Sequence, residues 1–211
     1  MNAAAHPSVF TIGHSNLELA KFVALLKQHS IQAVADVRSS PYSQYNPQFN
    51  REPLQRALQE QGISYVFLGE ELGARRSERE CYLNGRADYD LISRTPAFKR
   101  GIERVLQGAA KMRVALLCAE KDPMDCHRCI LVSPHLRRRG LAVFHILTDG
   151  TLESHEQTEE RLLRLFELPE RELFRSPEEI VAEAYKLRFL AVFSGIRIGA
   201  GGACPPPNRA W

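Results

Sequence analysis

The most specific chemistry in this sequence lies in one short stretch. Cys118 ends an apolar run, Glu120 follows it closely, and Cys126, His127 and Arg128 come after a polar segment. A thiol near a helix start and an arginine has its thiolate form favoured, because both supply positive potential. Glu120 and His127 are side chains that can exchange protons with a substrate. We therefore predict catalytic roles for Cys118, Glu120 and His127.

Other chemistry is compatible with the same stretch. Arg128 and Cys126 at a helix start could hold a phosphate or carboxylate, with Arg128 or Arg38 as a bidentate clamp. A cysteine that ends a buried strand can also be a plain core residue. No cofactor is predicted, and a metal is disfavoured because the stretch has no CxxC pair and no HxxxH spacing. A metal bound by Cys118, Cys126 and His127 is kept as a minor alternative.

Polar groups also follow the other apolar runs. Asp36 and Arg38 end one run, His14 follows another, and a loop rich in aromatic and amide groups spans residues 41–50. We predict that Asp36 is catalytic. Because Arg38 ends a strand, we expect Arg38→Ala to leave the fold intact. The residues that we predict to bind the anion or substrate are His14, Ser15, Asn16, Arg38, Ser39, Tyr42, Asn46, Phe49, Cys126 and Arg128.

These groups can meet only if the elements before them share one edge. Apolar runs predict strands at residues 9–12, 31–37, 64–68, 113–117 and 141–147. Helical spacing separates most of them, which predicts a three-layer α/β fold with a mostly parallel sheet of about five strands flanked by helices. Ligands bind beyond the carboxyl ends of such strands.

Several local features are predicted around these strands. Ser15 or Asn16 can cap the first helix, residues 69–90 are interpreted as a loop, and a helix is expected over residues 125–139. After residue 148 only helices are expected, at 156–168 and 176–188. The predicted organisation is an α/β core domain at 1–150, a helical C-terminal extension at 151–188 packed on that core, and a disordered tail at 189–211.

Composition bounds the setting of the protein. The 211 residues carry a formal net charge of +3, which is too small to indicate nucleic acid without a clustered basic surface. No apolar run is long enough to span a membrane, and the amino terminus lacks the features of a secretory signal. Five cysteines without a secreted-scaffold spacing favour reduced thiols. We therefore expect a cytoplasmic protein.

Taken together, the motifs resemble the family catalogued as domain of unknown function 488. The resembling segments over residues 8–188 are TIGHSN at 11–16, DVRS at 36–39 with Pro41 and Ser43, NPQF at 46–49, LGEELG at 68–73, LCAE at 117–120, CHR at 126–128 and LFRSPEE at 173–179. The chain departs from the family pattern after about residue 187. The resemblance implies that one site contains His14, Asp36, Arg38, Cys118, Glu120, Cys126, His127 and Arg128, and it implies no reaction.

Two classes of function fit these residues. The first is an enzyme that acts on a phosphorylated or otherwise anionic substrate, for which nucleotides and nucleic acids are candidates. The second is a non-catalytic module that binds nucleic acid through loop aromatics or senses a small ligand. The mixture of acids, a base and a thiol favours the enzyme, because phosphate binding alone has no use for Asp36 and Glu120.

Overall fold

A computed structural model of the chain describes residues 7–194. The strands are β1 (Ser8–Gly13), β2 (Ala33–Asp36), β3 (Ser64–Phe67), β4 (Tyr82–Leu83), β5 (Arg86–Ala87), β6 (Val114–Cys118), β7 (Ala142–Ile146) and β8 (Leu152–Ser154). Six of them form a central sheet with the order β3-β2-β6-β1-β7-β8, in which only the last strand is antiparallel to its neighbour. The short strands β4 and β5 form a separate antiparallel hairpin.

Helices connect the parallel strands, and further helices follow β8. They are α1 (Leu19–Gln28), α2 (Arg51–Glu60), α3 (Gly69–Leu72), α4 (Tyr89–Arg94), α5 (Pro96–Ala109), α6 (Ser133–Arg138), α7 (His155–Leu165) and α8 (Pro177–Ser194). Short 3-10 helices cover Pro47–Phe49, Arg79–Cys81 and Pro123–Asp125, and a π-helical segment covers Arg128–Val132. Within the described residues, no helix combines the length and the apolar character needed to cross a membrane.

The central strands are covered on both faces. Leu116 belongs to one apolar cluster and Leu117 to another, and both side chains are fully buried. Successive side chains of a strand point to opposite faces, so this alternation requires a core above and below the sheet. The predicted α/β class, with a mostly parallel sheet flanked by helices, is confirmed.

The structure corrects several local predictions. The sheet has a sixth strand, β8, where only helices were expected, because the turn after β7 returns the chain antiparallel beside it. Residues 69–90 form α3, a 3-10 helix, the β4–β5 hairpin and the start of α4 instead of a loop. These elements are short, and their sequence has no clear period.

Two predicted helix starts were also wrong. The first helix begins at Leu19, and neither Ser15 nor Asn16 caps it, because Ser15 adopts a φ of 47° in a turn. The expected helix over residues 125–139 is broken into a 3-10 helix, a π-helical segment and α6. Pro134 lacks a backbone N–H, and the Ser133 hydroxyl donates to the Arg128 carbonyl at 2.7 Å across the junction.

The chain divides into two compact units, Met1–His155 and Glu156–Trp211. In the second unit, Ser176 caps the last helix: the Glu179 backbone N–H donates to the Ser176 hydroxyl at 3.2 Å, and the Glu179 carboxylate accepts from the Ser176 N–H at 2.7 Å. Helix α8 continues through residues 189–194, which were expected to belong to the disordered tail. The rest of that tail, 195–211, lies outside the described residues.

Close packing between β1 and the chain after β6 sets the path of the segment over residues 119–127. Gly13 pairs in register with Cys118, and the chain then bends so that the Glu120 carbonyl lies against Gly13. A β-carbon on Gly13 would lie 1.8 Å from that carbonyl oxygen and 3.1 Å from a terminal nitrogen of Arg128. Only glycine fits here without moving the loop.

We predict that Gly13→Ala lowers the free energy of unfolding by about 1–3 kcal/mol, because the added methyl group overpacks the loop. Gly108→Ala is the matched control, since its β-carbon would make only an ordinary contact, 3.4 Å from Val114. That change should raise the free energy by up to about 1 kcal/mol through the better helix propensity of alanine. Urea unfolding measures both, and a neutral Gly13→Ala would contradict this account of the loop.

Candidate functional site

Parallel pairing brings three strand ends to one edge of the sheet. β6 lies between β1 and β2, with Gly13 opposite Cys118 and Asp36 opposite Leu117. The residues that follow these strands therefore meet. The His14 backbone N–H donates to the Cys118 carbonyl at 3.0 Å, and the Val37 N–H donates to the Leu117 carbonyl at 3.0 Å.

Asp36 and Arg38 form a buried ion pair at this edge. The Arg38 guanidinium donates to both Asp36 carboxylate oxygens, at 2.8 and 2.5 Å, and also to the Phe49 carbonyl at 2.9 Å. The Tyr65 hydroxyl donates to the same carboxylate at 2.7 Å. Burial opposes the charge of Arg38, but the contact with Asp36 outweighs it and raises the Arg38 pKa. Hydrogen bonds within the protein therefore occupy both side chains, which suits a role in positioning their neighbours.

His14 is held neutral beside this pair. Its Nε2 faces the Arg38 guanidinium at 3.2 Å, and its Nδ1 lies 2.8 Å from the Ser15 carbonyl. A guanidinium can only donate, so Nε2 is the acceptor and Nδ1 carries the proton. Burial and the charge of Arg38 lower the pKa of His14 to about 4. The ring stacks on Phe49 with centroids 4.4 Å apart.

A second group of side chains lies around the end of β6. His127 Nδ1 is 3.6 Å from the Cys118 sulfur and 3.9 Å from the Cys126 sulfur. One ligand atom from each of Cys118, Glu120, Cys126 and His127 lies within 4.8 Å of all the others. We call these four residues the cysteine cluster. The two sulfurs and the imidazole are buried, whereas Glu120 is exposed and connects the cluster to solvent.

Arg128 closes the loop that carries the cysteine cluster. Its guanidinium donates to the carbonyls of Glu120 and Lys121, at 2.8 and 3.3 Å, and to the Thr11 hydroxyl at 3.3 Å. Its backbone N–H donates to the Cys126 sulfur at 3.4 Å. Among the residues that the structure describes, no carboxylate forms a salt bridge with Arg128, although its side chain is almost fully buried.

These surroundings divide the charge unequally between the two thiols. Burial opposes a thiolate at Cys126, but a hydrogen bond from Cys118, the charge of Arg128 and the contact with His127 outweigh it and lower the Cys126 pKa. Burial, and then the neighbouring Cys126, raise the Cys118 pKa. Glu120 is exposed as a residue, but its carboxylate lies against the other members of the cluster, so the loss of hydration there and the charge of Cys126 raise the Glu120 pKa. These surroundings therefore favour a thiolate at Cys126 more than at Cys118, the residue that the sequence had indicated.

The remaining predicted residues lie in the segments that follow β1 and β2. The Ser39 hydroxyl accepts from the Arg75 N–H at 2.9 Å, and the exposed Tyr42 donates to Glu52 at 2.8 Å. Phe49 is fully buried, so its ring supports His14 and offers no free face to a ligand. Ser15 and Asn16 hydrogen-bond to each other at 3.3 Å, and the Asn46 backbone N–H donates to the Ser43 hydroxyl at 3.3 Å.

Sequence reasoning missed a buried network behind Arg128. Thr11 accepts from Arg128 and also lies 2.7 Å from His145 Nδ1, and His145 Nε2 lies 3.0 Å from His155 Nδ1. The Cys129 sulfur is 3.9 Å from the same His155 nitrogen. Thr11 and His145 pair in register on β1 and β7. Their only sequence signal is a polar residue inside each apolar strand, which becomes informative once the pairing is known.

Fold and site together define an α/β protein with a cysteine, histidine and carboxylate cluster at the carboxyl edge of a parallel sheet. A family model described as Domain of unknown function DUF488 matches residues 18–133, more than half of the chain. The chain belongs to this family, as the motifs indicated. No curated protein and no solved structure matches the chain.

The buried ion pair changes the expected effect of Arg38→Ala. The side chains of Asp36 and Arg38 are 0% and 6% exposed, so removing Arg38 leaves an uncompensated carboxylate in the core. We now predict a loss of about 3–5 kcal/mol in the free energy of unfolding, which corrects the expectation that the fold would be unaffected. Arg139→Ala breaks an exposed ion pair with Glu103 and should change stability by less than about 1 kcal/mol.

A double variant separates charge from packing. Asp36→Asn with Arg38→Met removes both charges, and it should unfold at a higher urea concentration than Arg38→Ala alone. Equal stability of the single variant and the wild-type protein would show that the pair does not stabilise the fold.

Proposed function

We propose that this protein is an enzyme that acts on a phosphorylated or otherwise anionic substrate at the carboxyl ends of β1, β2 and β6. The observation that carries the proposal is the buried guanidinium of Arg128, which has no carboxylate partner in the described part of the chain and stands beside four groups able to do chemistry. A buried cation of this kind attracts negative charge, because little solvent screens it.

Arg128 acts through its charge and through the loop that it holds. Its three nitrogens already donate to the protein, so a direct bidentate clamp on the substrate is not the arrangement that we propose. The exposed side chains of Lys121 and Arg75 belong to loops at the same edge and can guide an anion to it. Positive residues around a cleft raise the association rate of anionic ligands in this way.

Glu120 is the group that we propose for proton transfer. It is the exposed member of the cysteine cluster, and its carboxylate lies within reach of both sulfurs and the imidazole. A substrate that arrives from solvent meets Glu120 before the buried members. Asp36 is fully buried and bound by Arg38 and Tyr65, so it positions Arg38 and His14 from behind. The four described cysteines are free, which fits the cytoplasmic location that we propose.

A nucleic-acid-binding module is the second candidate, favoured by one observation. Tyr42 and Tyr45, in the loop that follows Arg38, are 49% and 61% exposed and could stack on bases. Phosphate contacts make such binding strongly dependent on salt. Fluorescence anisotropy of labelled single-stranded oligonucleotides at rising salt concentration tests it, with Tyr42→Ala and Tyr45→Ala as the variants that should weaken binding.

The enzyme proposal predicts turnover that depends on Glu120. We expect the purified chain to hydrolyse at least one member of a panel of para-nitrophenyl phosphate, bis(para-nitrophenyl) phosphate and nucleotides. Glu120→Gln should lower kcat by about 100- to 10,000-fold through loss of proton transfer, with little change in stability. Glu60→Gln, on the exposed side of α2, is the control and should retain full activity.

Two outcomes would contradict different parts of this proposal. Absence of turnover and of anion binding across the panel would contradict the enzyme proposal. Turnover that Glu120→Gln leaves unchanged would remove Glu120 from the mechanism.

A further inference from the structure

We propose that the cysteine cluster is a zinc site, with Cys118, Cys126 and His127 as fixed ligands and Glu120 as the exchangeable fourth group. This deepens the proposed function, because it concerns the same site and gives its sulfurs a task. Metal binding can nevertheless be measured without any substrate. Three features support a zinc ion here: the geometry of the four donors, the contacts that orient them, and the charges of the site.

The distances match a tetrahedral zinc centre. Zinc lies about 2.3 Å from a thiolate and about 2.0–2.1 Å from an imidazole nitrogen, so the sulfur and nitrogen ligands of one ion lie about 3.6 Å apart. The sulfurs of Cys118 and Cys126 are 3.6 and 3.9 Å from His127 Nδ1. The Glu120 oxygen lies within 4.8 Å of all three atoms. Thiolate and imidazole are zinc donors, whereas Mg²⁺ and Ca²⁺ prefer oxygen.

The imidazole is oriented as a ligand. His127 Nε2 lies 3.0 Å from the Val37 carbonyl, which can only accept, so Nε2 carries the proton. In the neutral imidazole, which is the form that binds a metal, the lone pair on Nδ1 then faces the two sulfurs. A single lone pair can accept one thiol proton at a time, whereas one cation bonds both sulfurs and the nitrogen together. A backbone carbonyl behind the second nitrogen is the usual support of a metal-bound histidine.

The charges of the site cancel when zinc is present. The ion balances the two thiolates, and the guanidinium of Arg128 balances the Glu120 carboxylate. Without the ion, two buried thiols must share a pocket with a cation that forms no salt bridge to a carboxylate in the described residues. The Arg128 backbone N–H also donates to the Cys126 sulfur at 3.4 Å, which stabilises a metal-bound thiolate further.

A second group of donors competes for the assignment. Cys129, His145 and His155 also bring their ligand atoms within 4.8 Å of one another, and all three are fully buried. Two of these nitrogens already lie at hydrogen-bond distance, 3.0 Å, and the group contains no carboxylate. The cysteine cluster offers four donors, and one of them is an exposed carboxylate through which an ion can arrive. We therefore assign the metal to the cysteine cluster, and the experiment below separates the two groups.

The test uses the full chain, purified with zinc in the medium and without a metal-affinity tag. We expect about one zinc per chain by mass spectrometry of the metal content. Cobalt exchanged into the site should show thiolate-to-metal charge-transfer absorption from two cysteines. Cys118→Ser and Cys126→Ser should each remove about half of that absorption and weaken zinc binding by at least about 100-fold.

Two cysteine variants serve as controls. Cys81→Ser alters a buried cysteine that belongs to neither donor group, and it should leave the cobalt spectrum unchanged. Cys129→Ser should also leave it unchanged. If Cys129→Ser abolished the spectrum while Cys118→Ser and Cys126→Ser retained it, the metal would belong to the second group and the proposal would be wrong.

Further measurements test the zinc site even if a cysteine variant fails to fold. Removing zinc from the wild-type protein with a chelator should lower Tm, and adding zinc should restore it. Glu120→Gln should keep one zinc per chain and bind it about 10-fold more weakly, because only the exchangeable group is altered. A wild-type protein that is isolated without metal and whose Tm does not respond to zinc or chelator would overturn the zinc site.

The outcomes also separate this inference from the proposed function. A chain that binds zinc at the cysteine cluster but turns over no anion supports the zinc site and contradicts the enzyme. A chain that turns over an anion but is isolated without metal, and whose Tm does not respond to zinc or chelator, supports the enzyme and contradicts the zinc site.

Discussion

The guanidinium of Arg128 closes the loop after β6 against the end of β1, and the geometry of the site depends on that contact. By donating to the carbonyls of Glu120 and Lys121, it turns the chain back so that Cys126 and His127 face Cys118. A buried charge without a carboxylate partner is costly unless hydrogen bonds satisfy it. Here the carbonyls of Glu120 and Lys121 and the Thr11 hydroxyl accept hydrogen bonds from the guanidinium, and the neighbouring Cys126 sulfur favours its positive charge.

The position of Arg128 is set by the strands. Thr11 on β1 receives a hydrogen bond from Arg128 and contacts His145 on β7, which in turn contacts His155. The absence of a side chain at Gly13 leaves the space that the loop occupies. Sheet register therefore fixes the loop, the loop fixes the cysteine cluster, and the charge of Arg128 supports our proposal that this edge receives an anion.

The strand ends could be predicted from the sequence because apolar runs are strong local signals, and parallel pairing then places Asp36, Cys118 and Gly13 at one edge. Contacts that form when a loop folds back on its own strand could not be predicted from the sequence. Spacing rules disfavoured a metal, because the cysteines are separated by a loop whose shape depends on Arg128. Asp36 and Arg38 were predicted to face a substrate, but only the structure reveals that they bind each other. Residues 69–90 have no clear period, so their short elements depend on tertiary packing.

The most direct test of the central claim is anomalous diffraction at the zinc absorption edge from crystals of the full chain. We predict one strong peak about 2.3 Å from the sulfurs of Cys118 and Cys126 and about 2.0–2.1 Å from His127 Nδ1. Such a peak would establish the cysteine cluster as a metal centre held by the closed loop. A disulfide between Cys118 and Cys126, or a peak only at Cys129, His145 and His155, would contradict the account.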